Sequence, residues 1–187
     1  MALIPVVETA LVGQEVIWGA PTYDQCRTAW DELRHAAPLG VVNFQETRME
    51  AHFPNGGRVL FRSLDDPNNA RSKTAHGVVM DEASYCNPLA WHEVIRPILS
   101  DTGGWALLLT TPHGKDWFWQ EWVKAQDSES SEAFQAPTLG VSIVDGVLVR
   151  TPHPLENPDF SFAEAQNLFE QLPLPTFKQE FLADFVT

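Results

Sequence analysis

Three observations in the 187-residue sequence predict an α/β fold built on a parallel sheet. Short apolar runs recur without polar alternation: Glu15-Val16-Ile17-Trp18-Gly19-Ala20-Pro21, Gly77-Val78-Val79-Met80 and Trp105-Ala106-Leu107-Leu108-Leu109. Parallel strands are buried on both faces and read this way. Each run is followed by a segment of helical character, the order of βαβ units. Shorter runs at 41–44, 48–53 and 58–62 sit between the first two, and Pro54-Asn55-Gly56-Gly57 is a strong hairpin turn between the last pair. They add an antiparallel hairpin excursion to the parallel core.

In chain order, Ala2 to Val12 is apolar enough to be the tail of a buried helix, with Pro5 tolerable in a first turn. Thr22 is an N-cap for a helix from Tyr23 to about Ala37, stopped by Pro38, with Trp30, Leu33 and Ala37 on its inner stripe. Asp65 to Thr74 is polar and reads as a loop. Asn87 or Pro88 opens a helix to about Leu99, ended by Gly103-Gly104, and a further helix runs from Asp116 to about Gln126. Its Trp117, Phe118, Trp119 and Trp122 are expected to pack the helix onto the sheet rather than to stack on bases. Asp127 to Glu132 is a solvated loop. Val141 to Val149 forms a tight hairpin around Asp145-Gly146, and 151–158 is irregular, with three prolines. Ser161 with Glu164 three residues on is a capping-box pattern for a helix to Leu172, and a short helix follows from Thr176 to Phe185.

Composition narrows the function. With 12 basic against 25 acidic residues the chain carries a charge of −13, a field that repels phosphate backbones and disfavours tight nucleic-acid binding by the isolated chain. Cys26 and Cys86 form no C-x-x-C pair and read as buried thiols of a reduced, intracellular protein. The six histidines show no zinc-ligand spacing. No apolar run is long enough for a membrane span, and the first residues lack the basic start of a signal peptide.

The chemistry concentrates where the second apolar run ends in Asp81-Glu82. Ligands of parallel sheets collect at the carboxyl ends of the strands. In P-loop NTPases an acid at such a strand end helps hold Mg²⁺, and an adjacent glutamate can orient or deprotonate an attacking water. A metal-dependent nuclease using Asp81 and Glu82 would need further carboxylates converging on them, with Asp101, Asp145 and Asp159 as the loose candidates. Lys115 follows a Thr-Pro-His-Gly turn, but one lysine without a nest of backbone amides is a weak phosphate cradle.

Several motifs in this order resemble the ATPase domain of the large terminase subunit, the DNA-packaging motor of tailed bacteriophages. Trp18 to Gln25 resembles the strand-to-helix motif after the family's first helix, and Gly77 to Ala83 resembles its Walker B strand with an Arg-containing loop before it. Leu107-Leu108-Leu109-Thr110-Thr111-Pro112-His113-Gly114-Lys115, followed by Trp117-Phe118, resembles its coupling motif. Asn157-Pro158 and Phe177 to Phe185 resemble the end of that domain. The likeness spans roughly 14–187. It implies a three-layer, parallel-sheet P-loop NTPase-like domain, with a core over about 14–126 and an irregular C-terminal part over about 127–187.

By the same resemblance Asp81 supports Mg²⁺, Glu82 activates water at the ATP γ-phosphate, and Thr110 and Thr111 sense the γ-phosphate state. Arg71 neutralises phosphate charge in the manner of an arginine finger. ATP and Mg²⁺ are the implied cofactors. Double-stranded DNA, the portal and the small terminase subunit are the implied partners, in an oligomeric motor in the host cell cytoplasm. The sequence departs from the family pattern in holding no G-x-x-x-x-G-K-S/T. It therefore reads as a partial domain lacking its first strand and P-loop, and also lacking the family's nuclease domain. The expected function is the ATPase portion of a packaging terminase, inactive without a P-loop; the alternative is a non-catalytic, terminase-like interaction module.

Overall fold

The computed structural model describes residues 2–71 and 74–186, which fall into two compact units, one up to Thr110 and one from Thr111. The first unit holds a six-stranded sheet. Its elements are α1 (Leu3–Leu11), β1 (Glu15–Ala20), α2 (Tyr23–Ala36), β2 (Asn43–Gln45), β3 (Glu50–His52), β4 (Arg58–Ser63), β5 (Gly77–Met80), α3 (Arg96–Thr102) and β6 (Trp105–Leu108). The strand order is β2-β3-β4-β1-β5-β6. β1 pairs in parallel with both β4 and β5, and β5 with β6, while β2-β3-β4 is antiparallel. The expected hairpin is present, but its second strand is a full member of the parallel core, with Trp18 opposite Phe61.

Burial explains the apolar runs. Every residue of β1 and β5 is buried, Glu15 included. On one face, Val6 and Ala10 of α1 and Cys26, Ala29, Trp30 and Leu33 of α2 pack with Val16, Trp18, Val59, Phe61 and Val79. Trp30 meets Phe44 and Phe61 edge-to-face at 5.2 and 5.4 Å, an arrangement aromatic rings favour. The alternating Ile17, Leu60, Val78 and Met80 are buried on the opposite face. The Thr22 hydroxyl accepts from the Gln25 amide, capping α2 as its sequence predicts.

Two local departures have identifiable causes. Residues 67–70, inside the expected loop, form a 3₁₀ turn capped by Asp66, whose carboxylate accepts from the Asn68 amide; Ser72 and Lys73 of that loop lie outside the described residues. The single helix expected from 87 or 88 to 99 is a π-helical segment, Ala90–Ile95, continued by α3. Pro97 has no N–H and its ring crowds the carbonyl four residues back, which favours a locally wider turn.

The second unit contains α4 (Trp117–Gln126), the hairpin β7 (Val141–Val144) and β8 (Val147–Arg150), α5 (Phe162–Gln171) and α6 (Leu174–Leu182). Asp145 and Gly146, both at positive φ, make the expected two-residue turn. Leu139, Leu148, Ala165 and Phe177 form its core. Ser161 caps α5 by accepting from the Glu164 amide. Within this unit Phe185 stacks on Phe118 of α4 at 6.2 Å and meets Trp122 of the same helix at 5.2 Å. Glu156 accepts from the Gly140 and His153 amides and pairs with Arg150 at 2.5 Å, and that arginine beside it holds its carboxyl down at about 2. Among the described residues no helix is long and apolar enough to cross a membrane.

Candidate active site

The carboxyl end of β5 is tied to both neighbouring strands. The Asp81 amide donates to Gly19 O on β1 at 2.8 Å, and the Leu109 amide donates to Met80 O at 2.9 Å. The chain then turns sharply: Glu82 adopts the left-handed conformation at φ 50°, and a 3₁₀ turn, Ala83–Tyr85, follows. A non-glycine residue in that region costs roughly 1–2 kcal/mol, and it is held by the Ala83 amide donating back to Leu109 O at 2.9 Å. The Ser84 amide reaches Thr110 Oγ1 in a long bond of 3.4 Å. Asp81, Glu82 and Thr110 are thereby brought to one corner of the sheet. Thr111, next along the chain, opens the second unit.

The Asp81 carboxylate is half-buried. Burial pushes its pKa above the ordinary value, and the Glu82 amide, donating to Oδ1 at 3.2 Å, offsets part of that rise. A carboxylate held short of water is one a cation stabilises. Ser84 Oγ, in the same turn, is buried without a hydrogen-bond partner among the described residues. Such groups in native structures mark places that water or an ion completes. Mg²⁺ takes one or two protein carboxylates and fills its octahedron with water and phosphate oxygens, so one carboxylate beside an open turn fits it. No group of three or more His, Cys, Asp or Glu side chains is placed to hold a metal among the described residues.

Two thiols flank this corner, a feature the spacing of the cysteines does not reveal. The Cys86 thiol points to Asp81 O at 3.6 Å and that of Cys26 to Arg62 O at 3.3 Å. Burial pushes them up to about 12 and about 11 respectively, so both stay protonated. Ser84 is a site residue that sequence reasoning misses; its small size next to the acid pair is the one signal. Lys115 lies over the Trp119 ring at 5.5 Å. Arg71 lines a separate cavity above β1, β3 and β4, where its Nε donates to Asn68 Oδ1 at 2.8 Å.

A mostly parallel sheet with an acid pair at the end of an inner strand, stitched to a threonine at the end of the edge strand beside it, defines an α/β protein whose candidate site lies at the carboxyl end of its strands. The chain belongs to the phage terminase large subunit family, whose model matches residues 26–145. Over 122 residues it is 34% identical to the terminase large subunits of Thermus phage G20c and Thermus virus P23-45, an alignment covering 54% of this chain. The match spans about a quarter of the length of those curated relatives, 25%. Among solved structures it resembles the large terminase ATPase domain of Thermus phage P74-26, at 25% identity and a TM-score of 0.64 over 95% of this chain and 78% of that one. The HK97 bacteriophage large terminase shares the fold at 12% identity and a TM-score of 0.66, over 96% of this chain and 42% of the other. The large terminase of another thermophilic bacteriophage, solved in complex with ADP, shares it at 12% identity and a TM-score of 0.66, over 92% of this chain and 40% of that one.

Proposed function

We propose that this chain forms the Asp81–Thr110 half of an ATP-hydrolysing site in a phage packaging terminase. The observation that carries the reading is the stitched corner in which Asp81, Glu82 and Thr110 meet at the carboxyl ends of β5 and β6. Asp81 is the residue that would hold Mg²⁺, which supplies charge neutralisation at the phosphates when bound. Glu82, at the left-handed turn where the chain leaves β5, would orient or deprotonate a water. Thr110, bonded to the Ser84 amide, links the acid turn to the chain leading into the second unit, and with Thr111 would respond to the state of the γ-phosphate. Arg71 would neutralise phosphate charge in the manner of an arginine finger. Double-stranded DNA, the portal and the small subunit are the proposed partners, in an oligomeric assembly in the host cytoplasm.

The sequence holds no G-x-x-x-x-G-K-S/T, and positioning by such a loop supplies much of phosphoryl-transfer catalysis. We therefore propose that these residues do not by themselves form a phosphate cradle of that type. The chain by itself is expected to turn over ATP negligibly and to bind Mg²⁺ with a non-hydrolysable ATP analogue weakly. Titration calorimetry tests this: the weak heat should vanish in Asp81→Ala and persist in Asp101→Ala. Binding that ignores Asp81→Ala removes the site assignment, and Glu82-dependent turnover by the chain alone removes the prediction of inactivity. The missing motif also favours a second reading, a non-catalytic terminase-like module; absence of any binding by a folded sample would select it.

A further inference from the structure

We propose that the cavity between α6 and the segment that follows it, within the second unit, is a docking site for a basic side chain of a partner protein. A reversal of the chain builds it. α6 presents Leu174, Pro175 and, one turn on, Lys178 to the cavity. Ala183 then adopts the left-handed conformation at φ 54°, and the Asp184 amide donates back to Lys178 O at 3.0 Å. The turn brings Asp184, Phe185 and Val186 to the same cavity. Phe185 is fixed there by its ring contacts with Phe118 and Trp122. The cavity measures about 420 Å³. At ~30 Å³ per water that takes a guanidinium or ammonium group, its methylene stem and several waters.

The lining suits such a group on three counts. Leu174, Pro175, Phe185 and Val186 offer apolar surface of the kind on which the stems of lysine and arginine lie while their charged heads reach a polar partner. Asp184 supplies that partner. Its half-buried carboxylate makes no ion pair or hydrogen bond among the described residues, and burial lifts its pKa although the charge of Lys178 pulls it down. A carboxylate so placed gains most from a cation brought beside it. Lys178 lines the same cavity without bridging to Asp184 among the described residues, which leaves the carboxylate for a second cation. The third count is charge. Residues 111–187 carry 12 acidic against four basic side chains, −8 of the chain's −13. Three of those four basic groups are engaged elsewhere: Lys124 with Glu121, Arg150 with Glu156, and Lys115 over Trp119. A field of that sign draws in basic partners and repels acidic ones.

None of these residues belongs to the Asp81 corner, so the test contains no nucleotide. The melting temperature of the full chain is followed against Nα-acetyl-arginine amide, whose backbone is uncharged, and against Nα-acetyl-citrulline amide, its neutral isostere, with ionic strength held constant by NaCl. A saturable rise of about 2–5 °C is expected with the arginine compound and none with the citrulline compound. The rise should disappear in Asp184→Asn and persist in Glu170→Gln, an exposed acid on α5 outside the cavity. The Asp184 carboxylate has no partner to lose among the described residues, so its replacement leaves the fold in place. Lys178→Gln removes the competing cation and should lower the concentration that gives half the rise by about two- to fivefold. Weaker binding in Lys178→Gln would show that the cavity reads an anion and would overturn the proposal. So would the absence of any rise, a rise unchanged in Asp184→Asn, or one matched by the citrulline compound.

Discussion

Asp81 shows how a half-buried carboxylate burdens its own fold. Its pKa is raised by burial, so the folded chain binds the proton more tightly than the unfolded chain does. Stability contributed by such a group falls as pH rises through the interval between the unfolded and folded pKa values. At neutral pH the ionised carboxylate is therefore a cost. Asp81→Asn keeps an oxygen to accept the Glu82 amide and removes the charge. The expected result is a melting temperature about 1–3 °C higher at pH 7, with the difference shrinking as pH is lowered toward 4. Calorimetry of both chains across that range checks it; a destabilised Asp81→Asn at pH 7 would show that the carboxylate is better solvated than its burial implies. The left-handed Glu82 beside it is a second local cost, and the two together single out this corner, since natural proteins retain such features where function uses them.

At the scale of elements, the hairpin β3–β4 and the end of α1 are fitted backbone to backbone. A Cβ on Gly57 would stand 1.9 Å from Ala10 O and 2.7 Å from Ala10 C, a collision no rotamer change relieves. The contact is continued by Asn55, whose side-chain amide donates to Leu11 O, and by the Arg58 amide donating to Gln14 O at 3.1 Å. Gly57→Ala is expected to destabilise by roughly 2–4 kcal/mol in urea unfolding. Gly56, one residue earlier, has open space around its Cβ position but φ +89°, so Gly56→Ala should cost about 1 kcal/mol, from backbone strain alone. Equal costs at the two positions would mean that α1 does not press on the hairpin as described. The glycines were legible as a turn; that one of them is also a docking surface for a helix some 45 residues earlier was not, because close approach depends on non-local packing.

For the whole molecule, the dominant electrostatic fact is the net charge of −13. Its self-repulsion opposes compaction and is weakened as the screening length falls from about 30 Å at 0.01 M salt to about 8 Å at 0.15 M. Surface pairs such as Arg34–Glu46 and Lys124–Glu121 pull the other way, but exposed pairs contribute only about 0–1 kcal/mol each. The melting temperature should accordingly rise by a few degrees between 10 and 150 mM NaCl, as read by circular dichroism. A fall would mean that the local pairs outweigh the global field.

The sequence by itself determined most of the elements and the place of the acid pair at the end of a buried strand. Unbroken apolar runs marked the buried strands, Thr22 and Ser161 marked helix starts through their own backbone hydrogen bonds, and Asp81-Glu82 stood out as two adjacent carboxylates directly after an apolar run. These are local signals, carried by residues within a few positions of one another. Tertiary structure decided the rest. It placed β4 beside β1 in parallel, turned the helix before α3 into a π-helix ahead of Pro97, and tied Ser84 to Thr110 across 26 positions. It also gathered Glu15, Glu50, Arg58, Arg62 and Arg71 from four separate segments into one cavity. The physical reason is the same in each case: strand order, register and the meeting of charged side chains are set by burial across the sheet, which no short stretch of sequence encodes.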